Sequence, residues 1–414
     1  MSDVPVYKLR FKADDGSQFP DWEEKAFGDF MDTHLEKTSD KDKYPLYSLT
    51  IESGVQPKTD RYEREFLVKK KGDNYKIVPP NAFVYNPMNL RFGALKVNHE
   101  KFSVSVSGYY DVFSLKDDNT LAFWENYLVT PKMLNYYFSI ATGSLIEKLR
   151  VHYSQFIRIK KPLPSLPEQQ KIAEFLSTVD TVIEKQKETV SAWEERKKGV
   201  MQKLFSQEVR FKADDGSDFP DWEEKVLDKE GFFYGGLVGK NKADFEKGSS
   251  KFITYINVYK NTFANRDMIG KVNVGDSEKQ NKVLYGDILF TQSSETVEEV
   301  GLSSVYLYDD EPYLNSFCMG FRFNNLSCVC PKYMGYCMRS ENVRKNIMLM
   351  GQGISRINLG AKRLKNVSYK FPCLAEQQKI ADCLSALDEV TEKQRSTLAT
   401  WKELKKGLLQ QMFV

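Results

Sequence analysis

The chain has 414 residues, 41% of them hydrophobic and 28% charged, a composition that supports packed cores and excludes a disordered chain. Against 60 Lys and Arg stand 57 Asp and Glu, for a net charge of +3. That balance excludes an acidic tail protein and a histone-like polycation, yet leaves room for local basic faces. No window approaches the run of about 18 apolar residues that a membrane span needs. The opening MSDVPVYKLR is polar with no apolar signal segment behind it, so a cytoplasmic location with no membrane partner is expected. All six cysteines fall between Cys318 and Cys383. Reduced thiols fit this better than a disulfide framework, and the spacing of Cys328, Cys330 and Cys337 is poor for zinc, so no metal is expected.

At about 150 residues per domain, the length predicts two or three domains. In chain order, an opening segment, Arg10–Lys25, leads into a mixed stretch over residues 26–165. There Asn81–Tyr85 and Phe102–Val106 read as strands and Lys132–Ser139 as helical, with Asn86-Pro87 and Gly108 as punctuation. Pro162, Pro164 and Pro167 then mark an extended entry into a helix predicted over 168–205. Its apolar seam runs Ile172, Leu176, Val179, Ile183, Val190, Trp193 and Leu204, with Gln186 and Lys197 as polar members, at alternating steps of four and three. That is the stripe of a coiled coil rather than the broad face of a surface helix. A second opening segment, Arg210–Lys225, differs from the first only at Asp218, where the first has Gln18. The next mixed stretch, 226–373, carries strand-like Phe252–Ile256 and Asp287–Phe290 and a helical Lys332–Met338. After Phe371-Pro372-Cys373 comes another predicted helix, 376–413, with seam Ile380, Leu384, Leu387, Leu398, Trp401, Leu408 and Met412 and polar Gln394 and Lys405. Each helix would run about 57 Å. Glu168 and Glu376 lie near the helix starts and Lys197–Lys198 and Lys405–Lys406 toward the ends, as the helix dipole favours.

The internal repeat organises this pattern. The opening segments recur at an offset of 200 residues and the helices at 208, while the stretches between them share size and texture but not sequence. Two similar frames around two different inserts point to two related tasks on different targets. The predicted class is α+β: two mixed domains joined by two long helices that pair with each other. If the copies are related by a pseudo-two-fold axis, Phe413 and Arg10 must lie about as close as Phe205 and Arg210. Those are joined by five residues, a span of at most about 18 Å.

Catalytic chemistry is hard to find. Gly235–Asn241 has the glycines and the lysine of a phosphate loop, but the wrong spacing and Asn in place of Ser or Thr, so it reads as a basic glycine loop. The prolines of Val78–Asn81 lack the company a methyltransferase motif needs. His34, His99 and His152 all lie in the first half, so a symmetric histidine site is ruled out. No enzyme is expected. Nucleic-acid chemistry is better represented: Lys69, Lys70 and Lys71 beside Asn74 and Tyr75 suit phosphates. Asn89 and Arg91 offer residue types that read base edges. Lys240 supplies a loop cation, and Thr291, Gln292, Ser293, Ser294, Arg356 and Asn358 offer the same polar chemistry in the second insert.

The run Leu163–Ala173, with Glu168-Gln169-Gln170-Lys171-Ile172-Ala173 before a heptad helix, resembles the specificity subunit of type I restriction–modification systems. Leu374–Ala381 matches it again. Arg10–Glu24 and Arg210–Glu224 look like openings of that family's target-recognition domains, and Val283–Thr291 and Gly353–Arg356 resemble elements inside them. Ala375 departs from the Pro at 167, and the first insert shows no clear Gly-x-x-x-Arg element. The resemblance implies target-recognition domains at 1–165 and 208–373, with helical spacers at 166–207 and 374–414 forming an antiparallel coiled coil. It implies a non-catalytic reader of double-stranded DNA in which each domain binds half of a bipartite target. Two methyltransferase subunits would dock on it, and two motor–nuclease subunits can join them. S-adenosylmethionine, ATP and Mg2+ would belong to those partners. A coiled-coil scaffold with protein-binding heads and no DNA affinity is the alternative.

Overall fold

The computed structural model describes residues 9–52, 54–58, 75–145, 148–246, 248–275 and 277–413. The chain forms two compact units. One comprises Met1–Lys187 with Ser396–Val414, and the other is the continuous stretch Glu188–Arg395. The long helices, Leu166–Phe205 and Leu374–Met412, begin two residues earlier than expected, each with its first turn at the proline-marked entry, and each contributes a segment to both units.

In the first unit, strand Glu23–Ala26 pairs antiparallel with Lys160–Leu163. Inside that frame lies an antiparallel four-stranded sheet in the order Met31–His34, Asp111–Leu115, Phe83–Tyr85, Leu95–Val97. In the second unit, Glu223–Val226 pairs with Ser368–Phe371 in the same register. It frames a sheet in the order Gly231–Gly235, Cys318–Phe323, Ile288–Thr291, Ser303–Val305. Inserts unlike in sequence therefore share one central topology, followed in both by two helices: Leu121–Tyr127 and Pro131–Ile140, or Pro331–Arg339 and Glu341–Leu349. The smaller sheets differ. The first unit has Lys37–Thr38, Tyr75–Val78 and Val104–Val106, while the second has Ile269–Val272, Ser250–Ile253 and Tyr313–Leu314.

The repeated residues build one clasp twice. Arg10 forks onto Glu168, with Nε 3.1 Å and Nη2 2.8 Å from its two oxygens, and Arg210 does the same to Glu376 at the same distances. Both carboxylates are fully buried, where such pairing is required. The guanidinium also reaches the carbonyl of Pro20, or of Pro220, at 2.7 Å. The glutamine after each glutamate turns back to donate to a proline carbonyl, Gln169 to Pro164 at 2.9 Å and Gln377 to Pro372 at 2.8 Å. Lys171 pairs with Asp14 and Lys379 with Asp214. The two repeated segments recur together because they are each other's partners.

Within each unit the helix segments run antiparallel. In the first, Lys405 meets Asp180 at 2.7 Å while Met412 and Phe413 share a core with Ile172 and Leu176. In the second, Lys197 meets Asp388 while Leu204 and Phe205 share a core with Ile380 and Leu384. The polar seam lysines thus hold register through matched ion pairs. Every apolar seam residue named above is buried or half-buried.

The junction expected between the chain's distant segments is present: Leu9 N–H donates to the Gln411 carbonyl at 3.2 Å. Its counterpart in the second unit is Val209 N–H to the Lys203 carbonyl, 3.3 Å. Three strand expectations need correction: the strand expected over Asn81–Tyr85 starts at Phe83, with Asn81 in a turn at φ +62°. Tyr255 and Ile256 open a helix, Tyr255–Lys260, because the Thr254 hydroxyl caps the Asn257 N–H. Phe102 and Ser103 lie before the strand at 104, since buried Asn98 holds the Phe102 carbonyl together with those of Val78 and Pro79.

Candidate nucleic-acid interface

In the second unit two sequence-distant clusters become one element. Ser293 and Ser294 pair antiparallel with Asn358 and Ile357, and residues 352 and 358 exchange backbone hydrogen bonds of 3.0 and 2.7 Å to close a hairpin. Arg356 is exposed at the hairpin tip and enters no ion pair among the described residues. With Tyr255, Ile256, Tyr259 and Phe317 it lines a hollow of about 440 Å³. The Tyr255 hydroxyl donates to the Ser293 carbonyl at 2.6 Å, and burial pushes its phenol pKa up. Tyr259 is held by Glu299. Phe317 and Ile256 stay 58% and 42% exposed, so the hollow offers a ligand apolar faces, the Arg356 cation and the carboxylates of Glu295 and Glu299.

The remaining predicted residues of this unit divide by environment. Asn358 is exposed on the hairpin. Gln292 is half-buried and donates to the Cys318 carbonyl at 3.2 Å. Thr291 and Ser294 are buried, and the Ser294 hydroxyl donates inward to the Thr296 carbonyl. Lys240 lies against Glu278 with its side chain only 6% exposed, and this contact holds the Glu278 carboxyl down at about 2. Asp287, in the segment resembling family elements, anchors the sheet: it accepts from Arg322 at 2.7 and 2.9 Å and from Tyr234 at 2.5 Å.

In the first unit Asn89 is exposed. The Arg91 guanidinium stacks near Phe92 and Phe138, 4.8 and 5.8 Å from their centroids, and both rings are more than half exposed. Lys69, Lys70 and Lys71 lie outside the described residues. Sequence reading missed Phe138, Tyr255 and Phe317, single aromatics with no local pattern. It also missed a hairpin closed by Thr142 and Arg150, with backbone bonds of 2.9 and 3.0 Å. This hairpin follows helix Pro131–Ile140 as the 352–358 hairpin follows Glu341–Leu349. The first insert thus also carries a hairpin after its second helix, closed by residues 142 and 150 where the second is closed by 352 and 358.

Among the described residues no group of three or more His, Cys, Asp or Glu side chains could hold a metal. No described helix is long and apolar enough to cross a membrane. The six cysteines are free, and burial raises the Cys337 thiol to about 12.

A family model described as the type I restriction modification DNA specificity domain matches residues 20–191 and again 232–399. Curated relatives include two from Methanocaldococcus jannaschii. The type I restriction enzyme MjaVIII specificity subunit is 24% identical over 61% of this chain and 61% of its own length. The putative type I restriction enzyme MjaX specificity subunit is 23% identical over 64% and 60%. The chain thus aligns with about three-fifths of each relative. Among solved structures, a type I restriction-modification S subunit from M. genitalium superposes with a TM-score of 0.55 at 14% identity, covering 99% of both chains. A chain from a study of assembly and conformational transition of the type I R-M system gives 0.54 at 14%, covering 95% of this chain and 98% of that one. At such identity these superpositions speak for the fold. With the model matching both inserts and most of each long helix, the chain belongs to the type I restriction–modification DNA specificity family.

Proposed function

We propose that this chain is the non-catalytic DNA-reading subunit of a type I restriction–modification complex. Each domain reads one half of a bipartite double-stranded target, and the long helices set the gap and dock two methyltransferase subunits. S-adenosylmethionine, ATP and Mg2+ are used by those partners and by the motor–nuclease subunits that join them. The carrying observation is the pairing of one repeated clasp and one central sheet order with two unlike inserts. A duplicated scaffold with divergent faces is what recognition of two different half-sites requires. The exposed Arg356 hairpin supports it, since arginine presents a fork suited to guanine or phosphate.

The test is an exchange of residues 226–373 for the corresponding insert of another family member, read by mapping methylated bases in the host genome. One half-site changes and the other stays. A change in both halves, or in neither, overturns the modular reading. Inserting one heptad into each long helix lengthens it by about 10 Å, and the gap should grow by about three base pairs. An unchanged gap removes the helices' role as a ruler.

A further inference from the structure

The polar groups around the Arg356 hollow fall into two classes. Several are engaged inside the protein: the Tyr255 hydroxyl donates to the Ser293 carbonyl, the Tyr259 hydroxyl to Glu299, and the Ser294 hydroxyl to the Thr296 carbonyl. Two charged side chains of the lining are not so engaged, Arg356 and Glu295. Both are exposed, and neither enters an ion pair among the described residues. They are neighbours all the same. The paired strands run Ser293 opposite Asn358 and Ser294 opposite Ile357, so the next step along that register sets Glu295 opposite Arg356. Opposite charges facing each other across two strands ordinarily attract. Here the chain bends at Glu295, and the two charges stand side by side without closing.

The anion is the informative member. A carboxylate on a DNA-reading surface is repelled by every phosphate, and a base edge favours it only where an amino group points into the groove. The arginine fork has the opposite need, two adjacent acceptors, which guanine N7 and O6 supply. A G·C pair presents both patterns side by side in the major groove, the acceptors on guanine and the N4 amino group on cytosine. We infer that Arg356 and Glu295 are joint specificity-determining residues that read one G·C pair in the half-site of the second domain. Arg356 donates to guanine O6 and N7, and Glu295 accepts from cytosine N4. Ile256 and Phe317, exposed beside them, shed water from the contact, which strengthens its hydrogen bonds. The assignment rests on the DNA-reading function proposed above.

The experiment uses the full chain in complex with its methyltransferase subunits, and its target is first selected from a random duplex library. The half-site of the second domain is the one that changes when residues 226–373 are exchanged. Within it, each guanine is replaced singly by 7-deazaguanine, which removes the N7 acceptor. Each cytosine is replaced singly by N4-methylcytosine, which keeps the pairing hydrogen and covers the one that faces the groove. At one G·C pair both replacements should lower affinity, each about tenfold. The Glu295→Ala complex should lose the response to N4-methylcytosine there and keep the response to 7-deazaguanine. Arg356→Ala should show the reverse. Both side chains are exposed, so the variants should melt with the wild type. A wild-type complex that selects no sequence overturns the DNA-reading function itself. A complex that selects a target, but in which no single G·C pair answers to both replacements, overturns this assignment alone. So does a Glu295→Ala complex that still answers to N4-methylcytosine.

Discussion

The two domains reach one sheet order by different chemistry. The first packs an aromatic cluster, with Phe27, Phe113, Phe123, Trp124 and Phe156 all buried, against its helices. The second ties its loops down with two arginines, Arg344 buried and Arg339 half-buried. Arg339 donates to the carbonyls of Ser303, Val258, Tyr259 and Asn261, and Arg344 to those of Glu298, Val300 and Gly301. Burial brings both guanidinium pKa values down to about 10. What they have in common is the clasp and the strand frame. The clasp and the strand frame recur while the interiors they enclose differ.

The largest effect should come from the shared part. Arg10→Ala and Arg210→Ala each take the cation away from a buried carboxylate, which costs about 3–5 kcal/mol. Urea unfolding of the two variants should give losses equal within about 0.5 kcal/mol, and clearly unequal losses would mean that the clasps are not equivalent. A smaller effect should separate the domains. Arg339→Ala leaves four carbonyls without this donor and should destabilise the second domain by about 2–4 kcal/mol. Proteolysis should report cleavage within 188–395 while the first domain stays protected. Arg356→Ala should leave stability unchanged and weaken cognate binding by about 1–3 kcal/mol. Equal loss on cognate and random DNA would make it a phosphate contact.

The smallest effect belongs to the first domain alone. His99 pairs with Glu125 at 2.9 Å. That hydrogen bond raises the imidazole pKa above its ordinary 6.5, with burial acting against it. A raised folded pKa gives stability that is fully present below about 6.5 and lost as pH climbs through the folded value. Because the histidine is largely exposed, the loss should be under about 1 kcal/mol. Melting the wild type and His99→Gln from pH 5.5 to 8 checks this: the wild type should show an extra decline that the variant lacks.

The frame was legible because it is local and written twice. Proline entries, heptad seams and matched openings each carry a one-dimensional signal, whereas the carboxylate partners of the seam lysines, Asp388 and Asp180, carry none. The clasp partners Glu168 and Arg10 were both singled out, but nothing in a sequence with 158 residues between them states that they touch. The recognition surface was less legible for the same reason. Ser293 and Arg356 were nominated separately and meet only through strand pairing. Lys240 looked like a free cation until Glu278, far along the chain, came to lie against it. Tyr255 was misread because a β-rich run and a threonine cap compete over the same residues, and the cap prevailed.

The split of the chain between its units has a consequence for biosynthesis. The second unit is one continuous stretch, Glu188–Arg395, whereas the first needs Ser396–Val414 as well. Met412 and Phe413 sit inside the first unit's core, with the Phe413 ring 5.7 Å from Phe123 and 5.4 Å from Tyr127. On the ribosome the domain encoded first must therefore finish last. It emerges with an open apolar seat, waits while its twin is made and closes, and is sealed only when residues 396–413 clear the exit tunnel. A stalled or shortened message would leave the amino-terminal domain unfinished and the second domain whole.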